Sequence, residues 1–282
     1  MRVELTTSPS QADIDHVRRG LIAYNLAQVP ELYEHTTGDF AVVMHENSQV
    51  VAGALCEIDW GWLYFDSVWT DASVRGKGYG SLVIRAAEAH AVQHNIHQAY
   101  LFTTSFQARP FYEKLGYTCF GQVDDHPRGH SFYGMKKTGL QVQAIDPRVM
   151  IDAPPNHERA SVIENGLLDE IATAVPLYVR KLAVFLRGDD NQIQGGAVGI
   201  AFWDWFDLQL LWIDDAYSGQ GYGKQLLTTL ETELRQRHLI GIRCDTASFQ
   251  SLAFYQAQGF EVMGTLDNRP PKHTSYFLKK RL

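Results

Sequence analysis

Two stretches of the 282-residue chain set residue types at a spacing that can hold an anion. Arg75-Gly76-Lys77-Gly78-Tyr79-Gly80 lies between a predicted strand and a predicted helix, and Ser218-Gly219-Gln220-Gly221-Tyr222-Gly223 occupies the same setting further on. Closely spaced glycines let the backbone approach a ligand, and free N–H groups at a helix N-terminus favour a negative group such as a pyrophosphate. The glycines fall as GxGxG after strands that look antiparallel, with no Walker lysine, so a dinucleotide fold or a P-loop fits poorly. A glycine-rich turn without a ligand is the plainer alternative. Each loop is followed by a strand end, then Ser-Phe-Gln at 105 and 248, Phe-Tyr at 111 and 254, and Gly-aromatic at 116 and 259. Tyr112 and Tyr255 read either as hydrogen-bond donors to a reacting atom or as core tyrosines. Asp66 is the only carboxylate in its predicted strand, and alternation places it on the face of Val68 and Thr70. It reads as a proton acceptor, as an anchor for an ammonium, or as a strand-end hydrogen-bond partner.

The histidines and cysteines divide less evenly. Asp124–Pro127 and Asp267–Pro270 carry strong turn chemistry, which leaves His130 and His273 beyond them as pocket-lining or proton-accepting candidates. His90, His94 and His97 have helical metal spacing, but Glu233, Arg237 and Ile240 stand at the related positions, so a solvated helix face explains them and no metal site is expected. Cys56, Cys119 and Cys244 are odd in number and far apart, which disfavours a disulfide framework or a cysteine-built zinc site.

The elements that position these residues repeat. Shifting the chain by 143 positions lays 53–137 on 196–280 with about 26 identities in 85 gapless positions. Upstream the shift becomes 146, with Val3 on Val149, Pro9 on Pro155 and Gly20 on Gly166. A period this long is a duplicated domain rather than a solenoid unit. The expected units are 1–138 and 148–282, with 139–147 as linker. In the first copy a strand at Val3–Thr6 precedes a helix over Gln11–Ala27 capped by Ser10, followed by strands at Phe40–His45, Val50–Asp59 and Trp62–Thr70. A helix over Gly78–His94, a strand at Ala99–Thr104, a short helix at Arg109–Leu115 and strands at Tyr117–Val123 and Phe132–Lys137 complete it. Leu140–Ile145 alternates in polarity as an extra strand would. Trp60, Trp62, Trp203 and Trp205 read as packing for a hairpin or for the face between domains, or else as an aromatic slot.

Composition bounds the rest. Hydrophobic residues make up 45% and charged residues 20%, the balance of a chain that buries a full core. No apolar run approaches the ~18 residues of a membrane span, and the N-terminal stretch lacks the order of a secretory signal. A cytoplasmic protein is expected. The net charge of −7 disfavours nucleic-acid binding and mildly favours cationic small partners.

With both motifs in place, the chain resembles the GNAT acyltransferase superfamily, whose members bind acyl-CoA. The family's (Q/R)xxGx(G/A) loop matches Arg75–Gly80 and, less fully, Ser218–Gly223. Its later motif matches Ser105, Tyr112 and Gly116-Tyr117, and again Ser248, Tyr255 and Gly259-Phe260. The resemblance implies a mixed α/β fold in two tandem acyl-CoA N-acyltransferase domains. It also implies acetyl-CoA as donor and a primary amine of a small molecule or peptide as acceptor. Val68, Trp69 and Thr70, with Leu211, Trp212 and Ile213, would then offer strand backbone to the pantetheine arm. Gly76, Lys77, Gly78, Tyr79, Gly80 and Ser81, with Gly219, Gln220, Gly221, Tyr222, Gly223 and Lys224, would offer amides to the pyrophosphate, and Arg75 would add charge. Ser105 and Ser248 stand where the family commonly has Asn. Tyr112 would donate to the leaving thiolate and Asp66 would serve the amine. Because Gln209 and Ser218 replace Asp66 and Arg75 in the second copy, the N-terminal half is expected to carry the chemistry, with Tyr112 dominant over Tyr255. The contrasting reading is a non-catalytic acyl-CoA sensor or scaffold. Fusion of two copies would replace a homodimer, so a monomeric pseudo-dimer is expected.

Overall fold

A computed structural model describes residues 1–282 apart from 33, 35 and 37. The chain opens with β1 (Arg2–Thr6) and α1 (Gln11–Gln28), then β2 (Gly38–Glu46), β3 (Gln49–Asp59) and β4 (Trp62–Thr70). Next come α2 (Tyr79–Gln93), β5 (Gln98–Thr104), α3 (Arg109–Lys114), β6 (Thr118–Asp124) and β7 (Ser131–Thr138). The second copy follows as β8 (Val149–Asp152), α4 (His157–Ala174), β9 (Val179–Arg187), β10 (Ile193–Phe202) and β11 (Trp205–Ile213). It ends with α5 (Tyr222–Gln236), β12 (Gly241–Ala247), α6 (Leu252–Ala257), β13 (Glu261–Asp267) and β14 (Thr274–Arg281). Local chemistry starts the first helix of each copy. Ser10 and Asn156 are extended, and their side chains accept the N–H of Asp13 and Arg159 at 3.1 Å, satisfying a donor the helix leaves free. No helix among the described residues is long and apolar enough to cross a membrane.

The strands form two seven-stranded mixed sheets, ordered β6-β7-β5-β4-β3-β2-β8 and β1-β9-β10-β11-β12-β14-β13. Each copy therefore gives its first strand to the other copy's sheet: β1 pairs with β9 and β8 with β2. The following helix goes with it, α1 lying on β10 and β11, and α4 on β3 and β4. Two glycines make room. A Cβ on Gly20 would run into the Trp212 ring, and one on Gly166 into the Trp69 ring. The repeat units 1–138 and 148–282 are thus not the sheet-forming units. One sheet is built from 38–152 without a break, and the other from 2–6 together with 179–281. Similarity along a chain reports duplication and is silent on which copy a strand pairs with. Leu140–Ile145 forms no strand: Leu140 is buried, and its N–H and carbonyl are both bonded to His97 instead of to a neighbouring strand.

The sheets face one another through contacts that occur in reciprocal pairs. Trp62 Nε1 donates to the Asn268 carbonyl (3.2 Å) and Trp205 Nε1 to the Asp125 carbonyl (2.9 Å). Lys136 Nζ reaches the Thr265 carbonyl and Lys279 Nζ the Gln122 carbonyl. Trp60 lies against Phe249, and Trp203 against Phe106. Every partner is displaced by the same 143 residues, as an isologous twofold interface requires. The tryptophans therefore pack the face between the halves. On the outer side of each sheet, α2 and α5 bury Ile84 and Ala87, or Leu227 and Leu230, in the two main cores.

Candidate active site

Both glycine loops are shaped by backbone conformation. Gly76 and Gly78 have φ of +79° and +83°, and Gly219 and Gly221 +72° and +86°. No atom lies within 4 Å of a Cβ added at any of the four, so it is the left-handed geometry, not space, that demands glycine. Gly78 and Gly221 cap α2 and α5 without a side-chain acceptor, which leaves the first helical N–H groups directed at the loop mouth.

Beside each loop the sheet opens. The parallel pair β4–β5 holds register only from Leu63–Ala99 to Phe65–Leu101, and β11–β12 only from Trp205–Gly241 to Asp207–Arg243. Beyond these points the strand edges facing β5 and β12 have no partner strand, while Val68–Thr70 and Leu211–Ile213, which lie there, stay paired on their other side with β3 and β10. The opening coincides with a bulge. Phe65 pairs with Cys56 and Ser67 with Leu55, so Asp66 is the extra residue; Gln209 is its counterpart between Leu208 and Leu210. The bulge breaks strict alternation, and Phe65 and Val68 both enter the same core. Asp66 is exposed and accepts the Ser67 hydroxyl at 3.0 Å.

Tyr112 lies in α3 and Tyr255 in α6, and both are buried, Tyr255 at the wall of the C-terminal cleft. Burial, then the charge of Glu170, pushes the Tyr112 phenol above its ordinary value; burial, then Cys244 and Asp245, does the same for Tyr255. Neither phenol is a ready acid, and both remain neutral hydrogen-bond donors. Ser105 and Ser248 are engaged inside their turns. Ser105 Oγ shares a hydrogen bond with His130 Nδ1 and accepts the Ser131 N–H; Ser248 Oγ shares one with His273 Nδ1 and accepts the Thr274 N–H. His130 and His273 thus brace the turns. His94 and His97 bond to carbonyls of His90 and Leu140, and among the described residues no group of His, Cys, Asp or Glu is placed to hold a metal ion.

The exchanged helices make the two clefts unequal. Around Gly219–Lys224 lies a cavity of about 520 Å³ that also includes Leu21 and Tyr24 of α1, Trp212, Asp245 and Tyr255. In the N-terminal cleft, the residue related to Tyr24 is Glu170, 146 positions on. Its carboxylate meets Arg75 at 2.7 Å, while Glu46 meets Lys77 at 3.6 Å and accepts the Tyr79 hydroxyl. Two carboxylates therefore hold the cations of the first loop. Sequence reading missed Tyr24, Glu170 and Asp245. The 146-residue offset was the available signal for the first two; Asp245 lies one strand away from the carboxylate that was sought.

A glycine loop on a helix N-terminus, set against the mouth of a split parallel strand pair, is the architecture of an acyl-CoA N-acyltransferase, and it occurs here twice. The model of the acetyltransferase (GNAT) family matches residues 13–117 and again 156–260, and the chain belongs to that family. It is 32% identical over 128 residues to blasticidin-S acetyltransferase from Streptomyces morookaense, spanning 45% of this chain and 93% of the relative. It is 35% identical over 102 residues to acetyltransferase Atu2258 from Agrobacterium fabrum, spanning 36% and 74%. A crystal structure of a putative acetyltransferase from Agrobacterium tumefaciens aligns at 30% identity and a TM-score of 0.41, covering 45% of this chain and 93% of that one.

Proposed function

We propose that the protein is an acetyl-CoA-dependent N-acetyltransferase that acts on a primary amine of a small molecule or peptide, with the amine attacking the thioester directly. The observation that carries this is the 520 Å³ cleft, in which a glycine loop, Lys224, Tyr255 and Asp245 share one space. The amides of Gly219–Lys224 and the Lys224 ammonium suit a pyrophosphate, and the open edge of Leu211–Ile213 on the β12 side suits the pantetheine amides. The amine nitrogen forms a bond to the thioester carbon and the carbon–sulfur bond breaks. Tyr255 donates a hydrogen bond to the departing sulfur, and the proton lost by the amine leaves through Asp245 and solvent. A relative named as a blasticidin-S acetyltransferase agrees with this reading.

Whereas the residues Asp66 and Arg75 pointed to the N-terminal half, the furnishing of the clefts supports placing the chemistry in the C-terminal half. A strand carboxylate exists there too, as Asp245 on β12 rather than on β11. In the N-terminal cleft Arg75 is tied to Glu170, which favours weaker CoA binding and suits a non-catalytic role for that half alone. Thiol release from acetyl-CoA over a panel of amines tests the reading, with mass spectrometry of native protein to count retained CoA. Tight CoA binding without release for any amine would leave the sensor in its place.

A further inference from the structure

Between the facing sheets lies a second cavity, of about 210 Å³. Tyr64 and Asp207, Tyr100 and Arg243, and Phe102 and Asp245 line it, and each pair is separated by the repeat distance of 143. The cavity therefore straddles the pseudo-twofold axis, where two related sites converge on one space. Duplication has polarised it: the N-terminal members are aromatic and the C-terminal members charged. Asp245 lines this cavity and the 520 Å³ cleft alike, so the two adjoin at that residue.

The charges are unevenly answered. Arg243 is held by Asp207 at 3.1 Å. Arg269, only 7% exposed, donates to the Tyr100 hydroxyl at 2.9 Å, meets Asp59 at 3.6 Å, and reaches Asp245 only at 4.0 Å. Its Nε is buried without a partner among the described residues. Asp245 is thus the carboxylate short of positive charge. Its side chain is half exposed; the protein packed around it still raises its pKa, with Asp207 and Asp59 adding to the rise and Arg269 and Arg243 opposing it.

We infer that this axial cavity is the acceptor site of the C-terminal cleft, and that it takes a monocationic primary amine on a compact apolar body with no carboxylate. The inference rests on the acetyltransferase reading above. The ammonium completes the pairing of Asp245, the residue that the cavity shares with the thioester cleft. The body lies against Tyr64, Tyr100 and Phe102. A carboxylate on the guest would meet two aspartates beside it, with Arg243 already held by Asp207. A second ammonium would find no further unmatched acid. The N-terminal cleft has Phe102 in place of Asp245 and receives no amine from this side.

The test uses the full chain with acetyl-CoA and three acceptors: 2-phenylethylamine, phenylalanine and spermidine. The expected result is a kcat/KM for phenylethylamine at least tenfold above the other two. Asp245→Asn is expected to raise the amine KM tenfold or more while the KM for acetyl-CoA stays within twofold. Tyr64→Trp, which fills the cavity without changing charge, is expected to raise the amine KM as well. Acetylation of phenylethylamine with an unchanged amine KM in Asp245→Asn, or a preference for phenylalanine or spermidine, would overturn the acceptor site and leave the acetyltransferase standing. If no acceptor releases thiol, calorimetry of phenylethylamine with the CoA-loaded protein decides separately. Binding lost in Asp245→Asn supports the site, and absence of binding refutes it.

Discussion

Replacing Tyr255 by Phe removes one hydroxyl from the C-terminal cleft and leaves the ring in its core. The ring packs edge-on against Phe254 and Phe260, so the fold is expected to persist. The hydroxyl is a neutral donor, because burial and the neighbouring Cys244 and Asp245 hold its proton on. What the substitution deletes is therefore a hydrogen bond to developing thiolate charge, worth about 1.5–3 kcal/mol. At 1.36 kcal/mol per decade this becomes roughly 10- to 150-fold in kcat. The assay is thiol release at saturating acetyl-CoA and amine, with the KM for acetyl-CoA followed in parallel and expected to hold. A phenol acting as true acid would add a basic limb to the pH profile of the parent protein that vanishes in the variant; a neutral donor leaves the profile's shape unaltered. Tyr112→Phe is expected to change kcat less than threefold. If Tyr255→Phe keeps full turnover while Tyr112→Phe loses it, the chemistry belongs to the N-terminal cleft and the reasoning from cleft furnishing is wrong.

Three other outcomes are expected. Gly221→Ala forces a side chain to the left-handed φ of +86°, costing about 1–2 kcal/mol; the KM for acetyl-CoA should rise roughly 5- to 30-fold, whereas Gly78→Ala should leave it alone. Glu57 has its pKa raised to about 7 by burial and then by Asp59 and Asp39, with Arg269 opposing and Asp66 adding a smaller rise. Its folded pKa exceeds the unfolded value, so the folded state binds the extra proton and stability falls as pH climbs from the unfolded pKa toward 7. Glu57→Gln should therefore raise Tm at pH 8 and leave it little changed at pH 4, as thermal unfolding at the two pH values would show; equal shifts at both would refute the linkage. Finally, the fragment 38–174 should unfold in a cooperative transition by circular dichroism, and 1–138 should not, because only the first retains the strand and helix that complete its sheet.

What the sequence disclosed was local. The glycine loops, the Ser10 cap and the order of strands and helices depend on neighbours within a few residues, and the structure has them where composition and periodicity put them. The duplication was legible too, since similarity survives at a fixed offset. Pairing between distant segments left no such trace. The partner of β1 begins only at Val179, the bulge at Asp66 that resets the alternation is made against β3, and Asp245 approaches Arg269, which in turn reaches Tyr100 of the other half; none of these can be read from one segment alone. Counting carboxylates on one strand pointed to Asp66, and the cleft at the other end of the repeat was visible only once the strands on both sides of the opening were in place.

The crossed pairing of the first strands also sets an order of events during synthesis. The segment that completes one sheet runs without interruption from residue 38 to the end of α4, so that unit can close while the rest of the chain is still being made. The first 28 residues have no such prospect. Their sheet partner begins at Val179, and at roughly 5–20 residues per second they wait on the order of ten seconds or more with an edge strand and an apolar helix face unpartnered. An exposed edge held that long is an invitation to pair with another nascent chain. Slowing translation between β8 and β11 should therefore lower the soluble yield, and the same pause placed after β14 should not.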